Sequence, residues 1–285
     1  MKLDSLLGKL AGTLGRRAGA QADGVQPPKL SGAVRVPYGP FQFKVQLPRG
    51  VPYELQASTD LGHWVTLAQG TATAEVLEYV DSEAFKFSYR FYRAVAGGLR
   101  SAEILGYAVI TLPPGFSLIA NPLRAPSNGV GDMFSGWPDG TTLHKFDTRL
   151  FRLTENAVRN GKWSNPAEPF VPGEGAIFFN PTQDYRHQTF VGEVLQGNLS
   201  MPIPAGFSLR GSLVPQPGQL REDLHFPVAE GDVIHLFDRD RQQYVLYPWS
   251  QGKWQSGVPV LSVGEAFWVA KTSPANWTRS FFAGD

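Results

Sequence analysis

Residues 115–118 read Gly-Phe-Ser-Leu, and the same four residues return at 206–209, 91 positions later. Four further motifs keep this offset along the rest of the chain. They are HKFD at 144–147 with HLFD at 235–238, GKW at 161–163 with GKW at 252–254, GE at 173–174 with GE at 264–265, and Phe190 with Phe281. A chance alignment would not hold one offset across five separated motifs. Residues 113–285 therefore contain two copies of one module.

The two copies have the sequence pattern of small β domains. Apolar or alternating runs such as GFSLIANPL at 115–123 and DVIHLFD at 232–238 are bounded by Gly, Pro, Asn and Asp. This pattern is typical of sandwiches and small barrels, and it predicts about six short strands per copy. We place the copies at 99–197 and 198–285. Two repeats are too few for a solenoid or a propeller.

The composition supports an all-β chain and excludes several functions. Aromatic residues make up 12% of the chain and charged residues 18%, and the 31 Gly and 23 Pro suit many tight turns. The net charge of +1 gives no field to attract phosphates, so we expect no nucleic-acid partner. The absence of cysteine excludes disulfides and thiolate metal sites.

A further β domain is predicted ahead of the repeats, at 33–98. Phe41, Phe43, Val45 and Leu47 alternate with polar residues, as the side chains of a half-buried strand do. Similar short runs follow up to the Gly-rich break that begins the repeats. The fold class is therefore predicted as tandem small β-sandwich or barrel domains.

Two segments of this domain carry a resemblance. YELQASTDLGHWVTL at 53–67 and YRFYRAV at 89–95 resemble the fibronectin-III-like or immunoglobulin-like modules of large bacterial surface proteins. The repeat pair is similar to unassigned tandem modules of large secreted bacterial proteins. The resemblance implies a β-sandwich in which Trp64 fills the core, and it implies no established activity.

The first 20 residues predict a short amphipathic helix, followed by a linker at 21–32 (QADGVQPPKLSG). Five leucines fall on one stripe of a 3.6-residue period: Leu3, Leu6, Leu7, Leu10 and Leu14. Such a helix becomes ordered against a partner, which is either another subunit or a lipid surface touched from outside. The alternatives are a helix packed on its own domain and a disordered tail.

The same segment fits a secretion signal poorly. Asp4, Lys9 and the pair Arg16-Arg17 interrupt every apolar run, although Ala-Gln-Ala at 20–22 resembles a cleavage site. We therefore expect the cytoplasm or an assembled particle rather than secretion. No run reaches about 18 apolar residues, so no membrane span is predicted.

The sequence offers no motif for catalysis. The five His residues have no metal-ligand spacing, and G-x-S-x-G elbows and Gly-rich phosphate loops are missing. The repeated pairs Asp147 with Asp238 and Glu174 with Glu265 are expected to close turns, because a hydrolase would need two identical sites in small modules. We predict no catalytic residue, no cofactor and no metal.

Two functions remain as hypotheses. The first is a non-enzymatic structural or assembly protein, a subunit of a larger particle or filament that docks on a protein partner or on itself through the helix stripe and β surfaces. The second is a carbohydrate- or cell-surface-binding protein. For that function Trp137, Trp249 and Trp277, which have no Trp at the equivalent repeat position, are the candidate ligand contacts.

Overall fold

The computed structural model describes residues 26–36 and 39–283. Within them the chain is built of strands, and the all-β prediction is confirmed. The one α-helix among these residues is a single turn, α1 (Val130–Met133), and Ala84–Lys86 forms a 3-10 turn. The predicted helix at 1–20, with its leucine stripe, lies outside the described residues. No helix within the described ranges is long and apolar enough to cross a membrane.

Eight strands precede the first repeated motif. They are β1 (Lys29–Arg35), β2 (Phe41–Gln46), β3 (Pro52–Ser58), β4 (Val65–Thr71), β5 (Val76–Asp81), β6 (Tyr89–Ala96), β7 (Leu99–Arg100) and β8 (Leu105–Leu112). Strands β1, β2 and β5 form one antiparallel sheet, and β4, β3, β6 and β8 lie side by side in a second.

These two sheets enclose an aromatic core. Phe41, Phe43 and Val45 of β2 are buried while the residues between them are exposed, as the pleat of a strand requires. The ring of Phe41 stacks on Tyr92 of the facing sheet, with centroids 4.7 Å apart. Trp64 does not fill this core as expected. It is half-buried against the first repeat, with the guanidinium of Arg93 4.2 Å from its ring centre.

The segment expected to be a linker contains the first strand. β1 begins at Lys29, inside the range 21–32, and Leu30 is buried opposite Val45. One inward apolar side chain and the backbone pairing with β2 are enough to form a strand here. The turn-forming residues produce a bulge between Ser31 and Val34 rather than a break.

The repeats supply the remaining strands. In the first repeat they are β9 (Gly115–Ala120), β10 (Thr142–Asp147), β11 (Arg152–Arg159), β12 (Lys162–Trp163), β13 (Gly175–Asn180) and β14 (Arg186–Glu193). In the second they are β15 (Gly197–Ile203), β16 (Gly206–Gly211), β17 (Gly218–Gln219), β18 (Val233–Asp238), β19 (Gln243–Ser250), β20 (Lys253–Trp254), β21 (Val260–Leu261), β22 (Ala266–Lys271) and β23 (Ala275–Phe281).

Strand β8 is paired along both edges. On one side Phe91 of β6 lies opposite Gly106, and on the other Gly192 of β14 lies opposite the same glycine. One sheet therefore runs from the first β domain into the first repeat, across the boundary placed between residues 98 and 99. The division of the chain into separate folding units at that boundary stays a prediction.

Each repeat contains a five-stranded antiparallel sheet of the same design. The strand order is β12-β11-β10-β13-β9 in the first repeat and β20-β19-β18-β22-β16 in the second. Gly175 pairs with Ala120 in the first sheet, and Ala266 pairs with Gly211 in the second. Residues 91 positions apart therefore occupy equivalent places, and we call them equivalent residues below.

The two sheets contact each other reciprocally. The N–H of Ala120 donates to the carbonyl of Gly264 at 2.8 Å, and the N–H of Gly211 donates to the carbonyl of Gly173 at 2.9 Å. Each of these hydrogen bonds becomes the other when equivalent residues are exchanged. The repeats are therefore related by an approximate two-fold axis, as the subunits of a symmetric dimer are.

At this contact one alanine always faces one glycine. A Cβ atom added to Gly211 would lie 2.1 Å from the Cβ of Ala120, and one added to Gly175 would lie 3.0 Å from the Cβ of Ala266. Two repeats that both carried alanine at these positions could not approach so closely. The packing therefore requires glycine at one residue of each facing pair.

We expect Gly211→Ala to lower the free energy of unfolding by about 1–3 kcal/mol, because its methyl group overlaps that of Ala120. Adding Ala120→Gly removes the opposing methyl group, so the double variant should recover most of the loss. Equilibrium denaturation of the four chains measures this coupling. If the losses in free energy of unfolding of the two single variants simply add in the double variant, a direct contact between the two residues is contradicted.

Candidate functional site

The repeated aspartates close hairpin turns. Oδ1 of Asp147 accepts two backbone N–H groups of its own turn, at 2.8 and 3.0 Å. Oδ1 of Asp238 accepts the equivalent pair at 3.1 and 2.9 Å. These backbone hydrogen bonds lower the pKa of both carboxyl groups. In both copies the aspartate holds the turn between two strands.

The repeated glutamates also have equal roles. Oε2 of Glu174 and Oε2 of Glu265 each accept the backbone N–H three residues earlier, at 3.2 and 2.9 Å. Each carboxylate faces a cation on the neighbouring strand or turn: Lys145 at 2.5 Å from Glu174, and Arg239 at 3.8 Å from Glu265. Burial raises the pKa of Glu265. These contacts explain why both copies retain the residue.

The repeated histidines lie apart from any cluster of metal ligands. Nε2 of His144 is 2.9 Å from the hydroxyl of Thr142, and His235 lies among aromatic rings. Within residues 26–36 and 39–283, no group of three or more His, Cys, Asp or Glu side chains is placed to hold a metal ion.

The three tryptophans considered as ligand contacts lie in the core. Their exposed fractions are 7% for Trp137, 9% for Trp249 and 3% for Trp277. Nε1 of Trp137 donates to Gln188, Nε1 of Trp277 donates to a backbone carbonyl, and Trp249 meets Trp254 edge to face at 5.0 Å. Exposure of these rings for ligand binding was the wrong prediction, because they fill the interior of the modules.

Other aromatic side chains form a groove where the two repeats meet. It encloses about 350 Å³ and is lined by Phe146, Phe151, Leu153, Ile177, Phe207, His235, Tyr244 and Trp268. The first four of these side chains belong to the first repeat and the last four to the second. We call this feature the aromatic groove.

The rings of the aromatic groove are arranged edge to face and remain open to solvent. Phe146 meets Trp268 across the two repeats with centroids 4.9 Å apart, and Phe207 lies 5.8 Å from His235. Phe151 is 65% exposed, Tyr244 44% and Phe207 40%. Large rings exposed side by side are typical of a surface that receives a partner.

The fold does not require the aromatic residue at position 151. Phe151 lies in the turn between β10 and β11 with φ of 51°, and its equivalent, Gln242, has φ of 53°. Both turns therefore adopt the same left-handed conformation, which side chains with a Cβ atom seldom favour. Since glutamine serves the turn equally well, the ring of Phe151 must be explained by what it contacts.

The aromatic groove carries no net charge at neutral pH. Burial lowers the pKa of His235. Burial also raises the pKa of Tyr244, and a hydrogen bond with Trp268 opposes that shift. The imidazole is therefore neutral and the phenol protonated, and the other lining side chains are uncharged. Such a surface suits apolar groups with few hydrogen-bonding demands.

A larger cleft of about 780 Å³ runs beside β14 and α1. Its wall is held by internal contacts: Gln188 accepts from Trp137 at 2.9 Å and donates to the carbonyl of Met133 at 2.7 Å. The guanidinium of Arg186 lies over the ring of Trp137 at 5.1 Å. Because these polar groups support one another, the aromatic groove is the stronger candidate site.

Phe151 and Tyr244 lie outside the repeated motifs, so residue identity between the copies does not point to them. Phe207 lies inside one of these motifs, where its identity with Phe116 says nothing about its exposure. The available signal was a difference: phenylalanine at 151 stands where the second repeat has Gln242.

Comparisons with known proteins assign no family. No protein-family model matches the chain, and no curated protein matches it. The solved structure of the FN1–FN3 domains of chicken CNTN1 aligns with 90% of this chain and with all of its own length, at 10% identity and a TM-score of 0.22.

The stability of the protein should depend on His235 below about pH 6.5, the ordinary pKa of the group. Because the folded-state pKa is lowered, the unfolded chain binds the proton first as the pH falls. The free energy of unfolding of the wild type should therefore decrease relative to His235→Gln in this range. Denaturation curves of both chains against pH measure the difference.

His63→Gln is the matched control for this measurement. Asp60 raises the pKa of His63 through a hydrogen bond of 2.7 Å, so protonation of that residue favours the folded state. The stability of the wild type relative to His63→Gln should change in the opposite direction as the pH falls. A pH-independent difference between the wild type and His235→Gln would contradict the burial of the imidazole.

Proposed function

We propose that the protein is a non-enzymatic assembly protein that holds a segment of a partner protein in the aromatic groove. The observation that carries this proposal is the exposed cluster of Phe151, Phe207 and Tyr244 at the junction of the repeats. Covering exposed rings with a partner lowers the free energy, by about 25 cal/mol per Å² of apolar surface removed from water. The repeats act as the rigid frame that positions these rings.

The chemistry of the groove favours a protein segment over a sugar. A glycan needs hydrogen-bonding groups around each stacked ring, and among the lining side chains His235, Tyr244 and the indole N–H of Trp268 provide them. None of these side chains is charged, and the other five that line the groove are hydrocarbon. Trp137, Trp249 and Trp277, the residues that motivated the carbohydrate alternative, are buried. Leucine, valine and aromatic side chains of a peptide make no such demand and fit an uncharged, ring-lined groove.

The first β domain supports the assembly role as a spacer. Its two facing sheets, β1-β2-β5 and β4-β3-β6-β8, suit a fibronectin-III-like or immunoglobulin-like sandwich, which is the finer assignment that we propose for it. Strand β8 joins this domain firmly to the first repeat. In this proposal the groove is held at a fixed distance from β1, and the leucine stripe of residues 1–20 is a second docking element.

A random peptide display library screened against the full chain tests the groove directly. We expect enrichment of apolar peptides that bind the wild type and fail to bind Phe151→Ser/Phe207→Ser. Phe116→Ser is the matched control, because Phe116 is the exposed equivalent of Phe207 and lies outside the groove. It should bind the enriched peptides as the wild type does. A glycan array with the same variants tests the alternative.

Two results would refute the proposed role of the groove. One is a screen without enrichment, and the other is enrichment of peptides that bind the double serine variant unchanged. Retention of a glycan by the wild type, lost in that variant, would replace the proposal with carbohydrate binding.

The N-terminal docking element has its own test. We expect the full chain to show a mass above that of one chain by light scattering, rising with protein concentration. A chain lacking residues 1–24 should lose this increase, because the leucine stripe is removed. A single-chain mass for both proteins at every concentration would exclude assembly through this segment.

A further inference from the structure

The turn Asp238–Gln243 of the second repeat is docked on the first repeat at two points. Oε1 of Gln242 accepts the backbone N–H of Phe116 at 2.8 Å, and Nε2 of Gln242 donates to the carbonyl of the same residue at 2.8 Å. The carboxamide of Gln242 thus makes the two hydrogen bonds that a neighbouring strand would make on the edge of β9. At the second point the guanidinium of Arg239 donates to the carbonyl of Thr111 at 2.9 Å.

The equivalent turn of the first repeat lacks both docking groups. Phe151 replaces Gln242 and Thr148 replaces Arg239, and a phenyl ring has no polar hydrogen or lone pair to offer. Phe207 is the equivalent of Phe116 and has the same strand register, so its N–H and carbonyl also point away from the sheet. Among the described residues none pairs with these two groups.

The space that Gln242 fills in the first repeat is open in the second. A Cβ atom added to Gly115, beside Phe116, would lie 2.7 Å from Oε1 of Gln242. One added to the equivalent Gly206 would meet no atom within 4 Å. The aromatic groove lies at this opening and includes the ring of Phe207. Backbone groups and volume are therefore both available at the same place.

From these observations, and resting on the proposed function of the groove, we infer that the edge of β16 at Phe207 is a vacant docking site. Its occupant is a turn or extended segment of a partner protein that presents a carboxamide, from Gln, Asn or the backbone, to the N–H and carbonyl of Phe207. An apolar side chain beside that carboxamide lies against Phe151 and Trp268. Gln242 on Phe116 shows the geometry within the same molecule.

At its second docking point the occupant should present a group other than the guanidinium that Arg239 supplies in the second repeat. The cavity beside Thr148 and Pro202, about 520 Å³, is lined by Arg210. The Nε of Arg210 is buried without a hydrogen-bond partner, and burial lowers the pKa of its guanidinium. A second cation is unfavourable beside this guanidinium, whereas a carbonyl or carboxylate oxygen of the occupant is attracted to its positive charge.

A cyclised hairpin peptide with the sequence of residues 233–248 is the probe, with Arg239→Ser because a second cation is unfavourable beside Arg210. It carries Gln242 in its native turn, and the control peptide carries Gln242→Leu. Calorimetry with the full chain should show the glutamine peptide binding about tenfold more tightly, the effect expected of one or two added hydrogen bonds. Equal affinity for the two peptides would overturn the inference.

Substitutions at position 151 are the second part of this binding experiment. Phe151→Gln supplies an internal carboxamide at the place equivalent to Gln242, so it should raise the melting temperature and abolish binding of the glutamine peptide. Phe151→Leu removes the ring without adding a carboxamide and should leave the preference for the glutamine peptide intact. Undiminished binding to Phe151→Gln would place the peptide elsewhere and refute the site.

Other outcomes separate this inference from the proposed function. If neither hairpin peptide binds while library peptides still require Phe151 and Phe207, the groove function stands and the carboxamide site is refuted. If light scattering shows an increase in mass that Phe151→Gln removes, a second copy of this chain occupies the site. That result would overturn the assignment to a different partner protein.

Discussion

The close approach of the two repeats at Ala120 and Gly211 is the contact on which the arrangement of the molecule depends. Backbones come near enough to exchange hydrogen bonds because one residue of each facing pair has no Cβ atom. The same condition holds where Gly175 faces Ala266. An interior of this kind tolerates no added methyl group without displacement. Each facing pair therefore needs a glycine at one of its two residues, and Gly211 and Gly175 meet that need.

Much of the fold could be predicted from the sequence because its local signals agree. The alternation of Phe41, Phe43 and Val45 indicates which face of β2 is buried, and the constant offset of the motifs identifies the repeats. Periodicity gives the face of a strand and says nothing about its neighbours. The pairing of β8 with both β6 and β14, and the inclusion of Leu30 in a core, depend on contacts distant in sequence.

The candidate site was less predictable, because it arises from residues that each look unremarkable alone. The sequence indicates three unmatched large rings as ligand contacts, Trp137, Trp249 and Trp277. A core position also needs a large apolar side chain, and all three rings are buried. Phe151 and Phe207 lie on different repeats, and only the packing of the two sheets brings their rings to one groove. No spacing rule in the sequence links them. Comparing the chemistry of equivalent residues, rather than their identity, would have selected Phe151.

A difference between equivalent residues does not by itself indicate a site. Asn180 and Lys271 are also equivalent and chemically unlike, yet both are buried and bonded. The carboxamide of Asn180 donates to backbone carbonyls, and the ammonium of Lys271 donates to a carbonyl and pairs with Asp232. In each copy the polar groups of this side chain therefore have partners of their own. At Phe207 the first repeat offers Phe151 in place of glutamine, so two backbone groups stay unpaired beside open volume. That combination of unpaired groups and open volume, which position 180/271 lacks, is what indicates a site.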